Sequence, residues 1–460
     1  MLMIVVALML TLAWGVAWIV PLTGELRQGR FAIVLGYGCF AGLIGVPVLM
    51  RLLNLGGVPL RFEWITVTAI ATAVLGVALG RRLSVSGHPR PPLTPPSTRD
   101  SRWYQLAYLM LLALILTRVS LLCVEVAWRP LFPFDATMHW ATKSRVWFDH
   151  LAITPFVENA TWLEAAGSGV YTDHHPDYPI TTPLLQVWIN AALGNWNDSA
   201  MNLPWVLCFV ALGAAFYGQA RAAGCSSMLA MVFTYFLLSM PLLNTHVGLA
   251  GYADLFLGTS YCLALMAFHN WSVTRQRSQA ILALVFALAC LLIKNEGFFW
   301  LLTLLPALLV VVMPAKRSVV SLLLLAVVAG LTLAWFPRNV VVAGHSLDEL
   351  SIYFRSSAVS PTFDSFFIYG SWHLFAPLLV ALIAATVFVR RSCFYAYRGV
   401  TTALATAFVL FLFLFWFTTY SYGAIHLTAI SRISLQLVPA ATFFSLLLAR
   451  ALLADDQEQA

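Results

Sequence analysis

An all-α fold, a polytopic transmembrane helical bundle, is what this sequence predicts, and three observations predict it. Hydrophobic residues make up 61% of the chain and charged residues only 10%, against about 25% charged in a soluble domain. Apolar runs close to the roughly 20 residues needed to cross a bilayer as a helix recur along the chain. Many of the basic residues fall in short connections between those runs, the pattern of inward-facing loops.

The opening, MLMIVVALMLTLAWGVAWIV, lacks the basic leader of a signal peptide and reads as a retained first span. Spans are expected near Leu2–Val20, Phe31–Met50, Trp64–Gly80, Tyr104–Glu125, Leu203–Gly218, Met228–Leu243 and Leu255–Asn270. Further ones follow near Ile281–Ile293, Phe298–Val312, Val319–Phe336, Phe367–Val389, Thr401–Phe417 and Ile433–Leu448. That makes about thirteen crossings. Ile180–Leu193 is apolar but short, and a crossing there would invert every later basic loop. It reads as an interfacial or re-entrant helix, tolerated at depth only under a cover of protein.

The connections set the orientation. Arg81, Arg82, Arg90, Arg99 and Arg102 share one Pro-rich linker, which separates an N-terminal three-span part, residues 1–102, from the remainder, 103–460. An SH3-ligand role for this linker is the alternative. Arg275 with Arg277, Lys316 with Arg317, and Arg390, Arg391 and Arg398 mark three further inward turns. The large loop 129–178 then faces outward and carries interfacial helices, and the connections Asn244–Asp254, Lys294–Glu296, Arg338–Asp364 and Thr418–Arg432 face outward too. The N-terminus lies outside and the tail DDQEQA inside. Arg51 and Arg61 dissent, because their loop also falls outside. The net charge of +7 is accounted for by topology and not by nucleic acid. The seven cysteines form no C-x-x-C pair, so neither a zinc site nor a disulfide framework is supported. No internal repeat is visible.

Polar chemistry gathers on the outward side. In RPLFPFDATMHWATKSRVWFDH, Asp135, His139 and Lys143 are spaced i, i+4, i+8 and would share one stripe of a helix, whose tryptophans would sit at headgroup depth. A solvated helix face is the plain alternative. In YTDHHPDYP, Asp173, His174, His175, Asp177 and Tyr178 form a second cluster. A hydrogen-bonded turn explains it more simply than a divalent metal, although a metal stays open there. Asp254, Lys294, Glu296 and Arg432 are charges at span ends, each either a site residue with a partner or merely solvated. Arg118 and Glu125, seven residues apart on one helix, read as a brace. A carboxylate at the interface could take a proton from an acceptor hydroxyl, while Lys143, Arg145, Lys294 and Arg432 supply cations for a phosphate leaving group.

The elements FPFDATMHWATKSRVWF, HHPDYPITTPLLQ, GYADLFLG, KNEGFF and SRISLQLVP, running from Phe132 to Pro439, resemble the GT-C superfamily of membrane glycosyltransferases. The likeness is to bacterial members related to protein mannosyltransferases. It implies an inverting transfer of sugar from a polyprenyl-phosphate donor to a glycan, lipid or protein acceptor at the outer face of a bacterial cytoplasmic membrane. Asp135 would be the base, Arg432 would contact the donor phosphate, and Asp254 and Glu296 would line the cavity. His175, Asp177 and Tyr178 would close its outer side. On this likeness Asp135 and Arg432 meet in one hollow. Two features depart from the family: Asp135 is followed by Ala136 where many relatives carry an Asp-Glu pair, and about three spans precede the one that leads into the loop. An O-antigen ligase or polymerase, which relies chiefly on Arg and His, and a lipid-linked-sugar flippase, which would carry its charges near the bilayer midplane and show inverted repeats, are the competing classes. A membrane scaffold without activity is the plainest alternative.

Overall fold

A computed structural model describes residues 2–83, 102–165, 169–342, 344 and 346–454. Apart from one short pair of strands these residues are helices and turns. Eight helices are long and apolar enough to cross a membrane, or nine if a pair bent by 58° is one span. The protein is therefore a helical membrane protein. Of the thirteen expected crossings, eight coincide with these helices and Met228–Leu243 falls on the bent pair. The helices over Ile281–Ile293, Phe298–Val312 and Phe367–Val389 are shorter than a full span. Leu255–Asn270 lies in a helix of 21 residues that is not among the eight long apolar ones.

The chain forms two compact units, and the division does not fall at the Pro-rich linker, most of which, 84–101, lies outside the described residues. The first unit comprises residues 1–239, 243–256 and 292–294. It contains α1 (Leu2–Leu22), α2 (Arg30–Leu55), α3 (Phe62–Leu83), α4 (Arg102–Trp128), α5 (Thr142–His150), α6 (Asn159–Glu164), α7 (Thr181–Leu193), α8 (Leu203–Ala222) and α9 (Ser227–Ser239). Most of α10 (Pro241–Gly248) and the start of α11 (Asp254–Thr274) belong to it too.

The three leading helices are built into this unit by close backbone approach. A Cβ at Gly42 would fall 1.9 Å from the Thr11 carbonyl oxygen, and one at Gly15 would fall 1.8 Å from that of Gly38. Only small residues permit such contact between spans, which lack a hydrophobic drive to associate in lipid. Helix α2 then meets α8 at Gly36 and Gly218, where Gln219 donates to the Tyr37 hydroxyl at 2.8 Å within the core. Helix α7 is the short apolar segment that broke the span count. At about 20 Å it cannot cross, and residues 181–190 are all buried. Trp188 stacks on Phe62 with centroids 4.9 Å apart and donates to the Thr11 hydroxyl at 3.1 Å. Arg51, one of the dissenting arginines, reaches the Thr181 hydroxyl at the head of α7 at 3.2 Å. It is a structural contact and not a topology signal.

The second unit comprises residues 240–242, 257–291 and 295–460. It continues α11 and holds α12 (Arg277–Ala289), α13 (Gly297–Val312), α14 (Ala315–Trp335), α15 (Leu347–Leu350), α16 (Val359–Phe367) and α17 (Phe375–Val389). It ends with α18 (Cys393–Ala396), α19 (Arg398–Phe417), α20 (Ser421–Ile425) and α21 (Ile430–Leu453). Three helices run parallel here. Gly258 of α11 rests on the backbone of Leu435 and Gln436 in α21, and Trp300 of α13 donates to Gln436 at 2.6 Å. Two to three turns on, His269 packs on Phe443 with centroids 5.8 Å apart. Helix α19 is antiparallel to them, since Gly399 at its start packs on Val311 at the end of α13.

Filling the α1–α2 contact tests the packing: Gly42→Val should cost about 1–3 kcal/mol or more as overpacking. In detergent its thermal midpoint should fall clearly below wild type. Gly330→Val, at a helical glycine with open space around it, should leave the midpoint nearly unchanged.

Candidate functional site

The site begins where α4 ends. After Trp128 the chain turns through Arg129–Pro133, and Thr137 donates its backbone N–H to the Pro133 carbonyl at 2.9 Å. Residues Ala136–Ala141 then form a single π-helical turn before α5. Such turns close their bonds at i+5 and are enriched at functional sites. Here the Thr142 N–H and its hydroxyl (2.9 Å) both reach the Thr137 carbonyl. The regular α-helix expected from Asp135 onward is thus not formed. Asp135 occupies the position at the head of the π turn, half-buried.

The same end of the unit is closed by the turn ahead of α11. Gly251 has φ of 112°, and a Cβ there would lie 2.6 Å from that of Ala136. Only glycine fits both the backbone and the contact. A small cleft between Leu131–Pro133, Asn202 and Gly248–Ala250 opens just ahead of Asp135. Trp205 donates its indole N–H to the Tyr252 carbonyl at 2.7 Å, which fixes the residues leading to Asp254. That carboxylate accepts from Lys294 at 2.9 Å, with both side chains buried. The structure therefore joins two charges that the sequence left as separate candidates.

Asp173 is the hub of the loop cluster. It follows two short parallel strands, β1 (Phe156–Val157) and β2 (Tyr171–Thr172), and its N–H donates to the Val157 carbonyl at 3.1 Å. Its carboxylate meets His139 Nδ1 at 2.7 Å and Lys143 Nζ at 2.6 Å. Lys143 also donates to the His175 carbonyl at 2.7 Å, and its side chain is only 1% exposed. Burial by itself would raise the Asp173 carboxyl. The hydrogen bonds from His139 and Lys143 and the lysine charge outweigh it and hold the group at about 2. Burial lowers Lys143 against the pull of Asp173. Burial and the neighbouring His139 and His174 lower His175, which is therefore neutral at pH 7. Tyr178 is sandwiched between Trp140, at 5.1 Å, and His175, at 4.5 Å and nearly coplanar.

His139 and Lys143 thus hold the loop on Asp173. Arg145 lies on the other face of α5. It pairs with Asp149 at 2.9 Å and stacks over Trp196, so it is not part of this cluster. Asp177 is exposed beside it. A divalent metal does not fit: the imidazole and carboxylate that would hold one are turned on each other, and an ammonium 2.6 Å from the carboxylate opposes a second cation. Among the described residues no three His, Cys, Asp or Glu side chains form a metal-holding group.

In the second unit, Glu296, which caps the start of α13, and Arg432 on α21 stand one turn ahead of the Trp300–Gln436 hydrogen bond. Since i and i+4 share a helix face, the two half-buried side chains lie at one level on the facing sides of parallel helices. Sequence reasoning did not single out the buried chain of Ser144, Gln186 and Asn202. Ser144 donates to Gln186 Oε1 at 2.6 Å, and Gln186 Nε2 donates to Asn202 at 2.9 Å, tying α5 to α7. A polar residue every few positions on otherwise apolar α7 was the available signal.

Comparison with known proteins returns no match, whether to a family model, a curated protein or a solved structure.

The pH sign follows from Asp173. Its depressed carboxyl contributes stability above the ordinary value of 3.8 and loses it as pH falls toward about 2. Over that window wild type should lose about 2 kcal/mol through this group. Asp173→Asn should be destabilised at pH 7, because Lys143 keeps a buried charge, and should lack this acid limb in fluorescence-monitored unfolding.

Proposed function

We propose that this chain is an inverting glycosyltransferase of a bacterial cytoplasmic membrane. It moves a sugar from a polyprenyl-phosphate donor to an acceptor hydroxyl on a glycan, lipid or protein at the outer face. The observation that supports this reading best is the placement of Asp135. It is a half-buried carboxylate at the head of a π turn, directly after a membrane-spanning helix and beside a cleft. The neighbouring Asp173 is held as a carboxylate by a lysine and a histidine. Asp173 is too well stabilised to accept a proton near neutral pH, which leaves the base role to Asp135.

In this reading the acceptor oxygen attacks the anomeric carbon while its proton passes to Asp135. The bond from that carbon to the phosphate oxygen breaks, and its electron pair leaves with the phosphate. Attack opposite the leaving group inverts the centre. Arg432 neutralises the developing phosphate charge. Glu296, level with Arg432, and the Asp254–Lys294 pair set the polar lining. Tyr178 and neutral His175 offer aromatic faces to a sugar, and Asp177 stands at the outer rim. The accompanying topology has thirteen crossings, with the bent pair and four shorter or less apolar segments added to the eight long helices. The N-terminus is outside and the tail inside.

Purified protein incubated with polyprenyl-phosphate sugars should release the lipid phosphate. Asp135→Asn should lower that release by about 10²-fold or more. Arg432→Ala should lower it by a similar factor through loss of one charge contact in the transition state. Intact turnover in Asp135→Asn, with loss in Arg432→Ala or His175→Ala, would instead favour a ligase that works through Arg and His.

A further inference from the structure

At the end of the second unit away from Glu296 and Arg432, two guanidiniums converge on one backbone oxygen. Arg275, in the turn after α11, donates to the Val311 carbonyl at 3.1 Å, and Arg398, at the start of α19, reaches the same atom at 3.4 Å. Arg275 lies over Trp271 at 4.9 Å and Arg398 over Tyr395 at 4.6 Å. Both arginines retain access to solvent.

Val311 is in the last turn of α13. A helix C-terminus carries about half a negative charge, too little to balance two full positive ones. Among the described residues, no carboxylate of the second unit supplies the rest. The acidic residues of the second unit are Glu296, Asp348, Glu349 and Asp364, apart from Asp455, Asp456 and Glu458 in the tail outside the described residues. Glu296 heads α13 at the far end. Thr419, just beyond the far end of α19, donates to the Glu349 carbonyl, and α16, which bears Asp364, is tied to Trp416 through Thr362. All four thus lie at the opposite end. The Arg275 end gathers further cations instead. Arg390 donates to the Ala454 carbonyl at 2.7 Å just past the end of α21, and Lys316 and Arg317 open α14 directly after α13.

Each guanidinium has five N–H donors in a planar fork suited to phosphate oxygens, and the carbonyl occupies one of them. Each fork is held against an aromatic ring, Trp271 or Tyr395, the residue types enriched at the headgroup level of a bilayer. We infer that Arg275 and Arg398 form a binding site for the phosphate of an anionic phospholipid in the leaflet at this end of the bundle. The site is separate from the proposed sugar transfer and does not depend on it. The lipid phosphate completes the charge balance that the helix terminus leaves unfinished, and its acyl chains run along the apolar flank of the helices.

Native mass spectrometry of the full-length protein in neutral detergent tests this, with titration by phosphatidylglycerol, phosphatidylcholine or glycerol 1-phosphate. Phosphatidylglycerol should bind at least about tenfold more tightly than phosphatidylcholine. One basic side chain near an anionic lipid contributes about 1 kcal/mol, about fivefold in affinity. Arg275→Gln with Arg398→Gln should therefore weaken phosphatidylglycerol about 25-fold, whereas Arg338→Gln with Arg355→Gln at the opposite end should not. If the double variant fails to fold, each single Gln variant should weaken binding about fivefold. Equal binding of the two lipids, or undiminished binding in the Gln variants, overturns the site. Glycerol 1-phosphate binding as tightly as phosphatidylglycerol overturns the assignment to a lipid.

Discussion

The loop 129–178 of the first unit depends on one buried ion pair. Lys143 and Asp173 are 2.6 Å apart with side chains 1% and 2% exposed, and removing two such charges from water costs several kcal/mol each. The cost is offset only because neither group is left with a lone partner. His139 takes the other carboxylate oxygen and the His175 carbonyl takes a second bond from the ammonium. An apolar pair of the same volume could hold the loop as strongly, so stability alone is a weak reason for the arrangement. What an ion pair with these extra contacts adds is a fixed register of residues 171–178 against the π turn. The aromatic series Trp140, Tyr178 and His175 follows from that register, and so does the position from which Asp135 enters its π turn.

Beneath the loop, the membrane imposes a different economy. Lipid tails are as apolar as the helices, so spans associate through contact distance and hydrogen bonds. That is why the glycines of α1 and α2 sit at the interface and not at helix ends, and why Gln219 and Tyr37 find each other inside the core. It also explains how α7 survives at depth. Its polar positions Gln186 and Asn190 are satisfied by Ser144, Asn202 and the Asn197 backbone, and its apolar face is covered by α1 to α3. The leading helices, which had no assignable task in the sequence, form the wall against which α7 and the loop above it are held.

The legible part of this protein was the part governed by composition. Eight long apolar helices stand out because a lipid-facing exterior must be apolar all round. Leu255–Asn270 was less legible, because polar residues such as Thr259, Ser260, His269 and Asn270 interrupt its apolar run. The candidate site was half legible. His139, Lys143, His175 and Tyr178 were visible as a cluster of unusual residue types, but the helix period used to align them with Asp135 assumed 3.6 residues per turn, and one π turn breaks that alignment. Asp173 was seen only as one member of a His-Asp run. Its rank comes from a strand pairing, 156–157 with 171–172, too short to leave a pattern in the sequence. The Asp254–Lys294 pair spans 40 residues, and no local rule links such positions.

Charge is partitioned along the second unit in a way that ties orientation to chemistry. Arginine and lysine crowd the end that carries the turns after α11, α13 and α17, while Glu296, Asp348, Glu349 and Asp364 occupy the other end. A basic end of this kind is the pattern that loops facing inward across a membrane carry. At the acidic end Arg432 is one of few cations, and it stands level with Glu296 on parallel helices joined by Trp300 and Gln436. The second unit thus sets a cluster of arginine and lysine at one end against an acid-rich end where Arg432 stands level with Glu296.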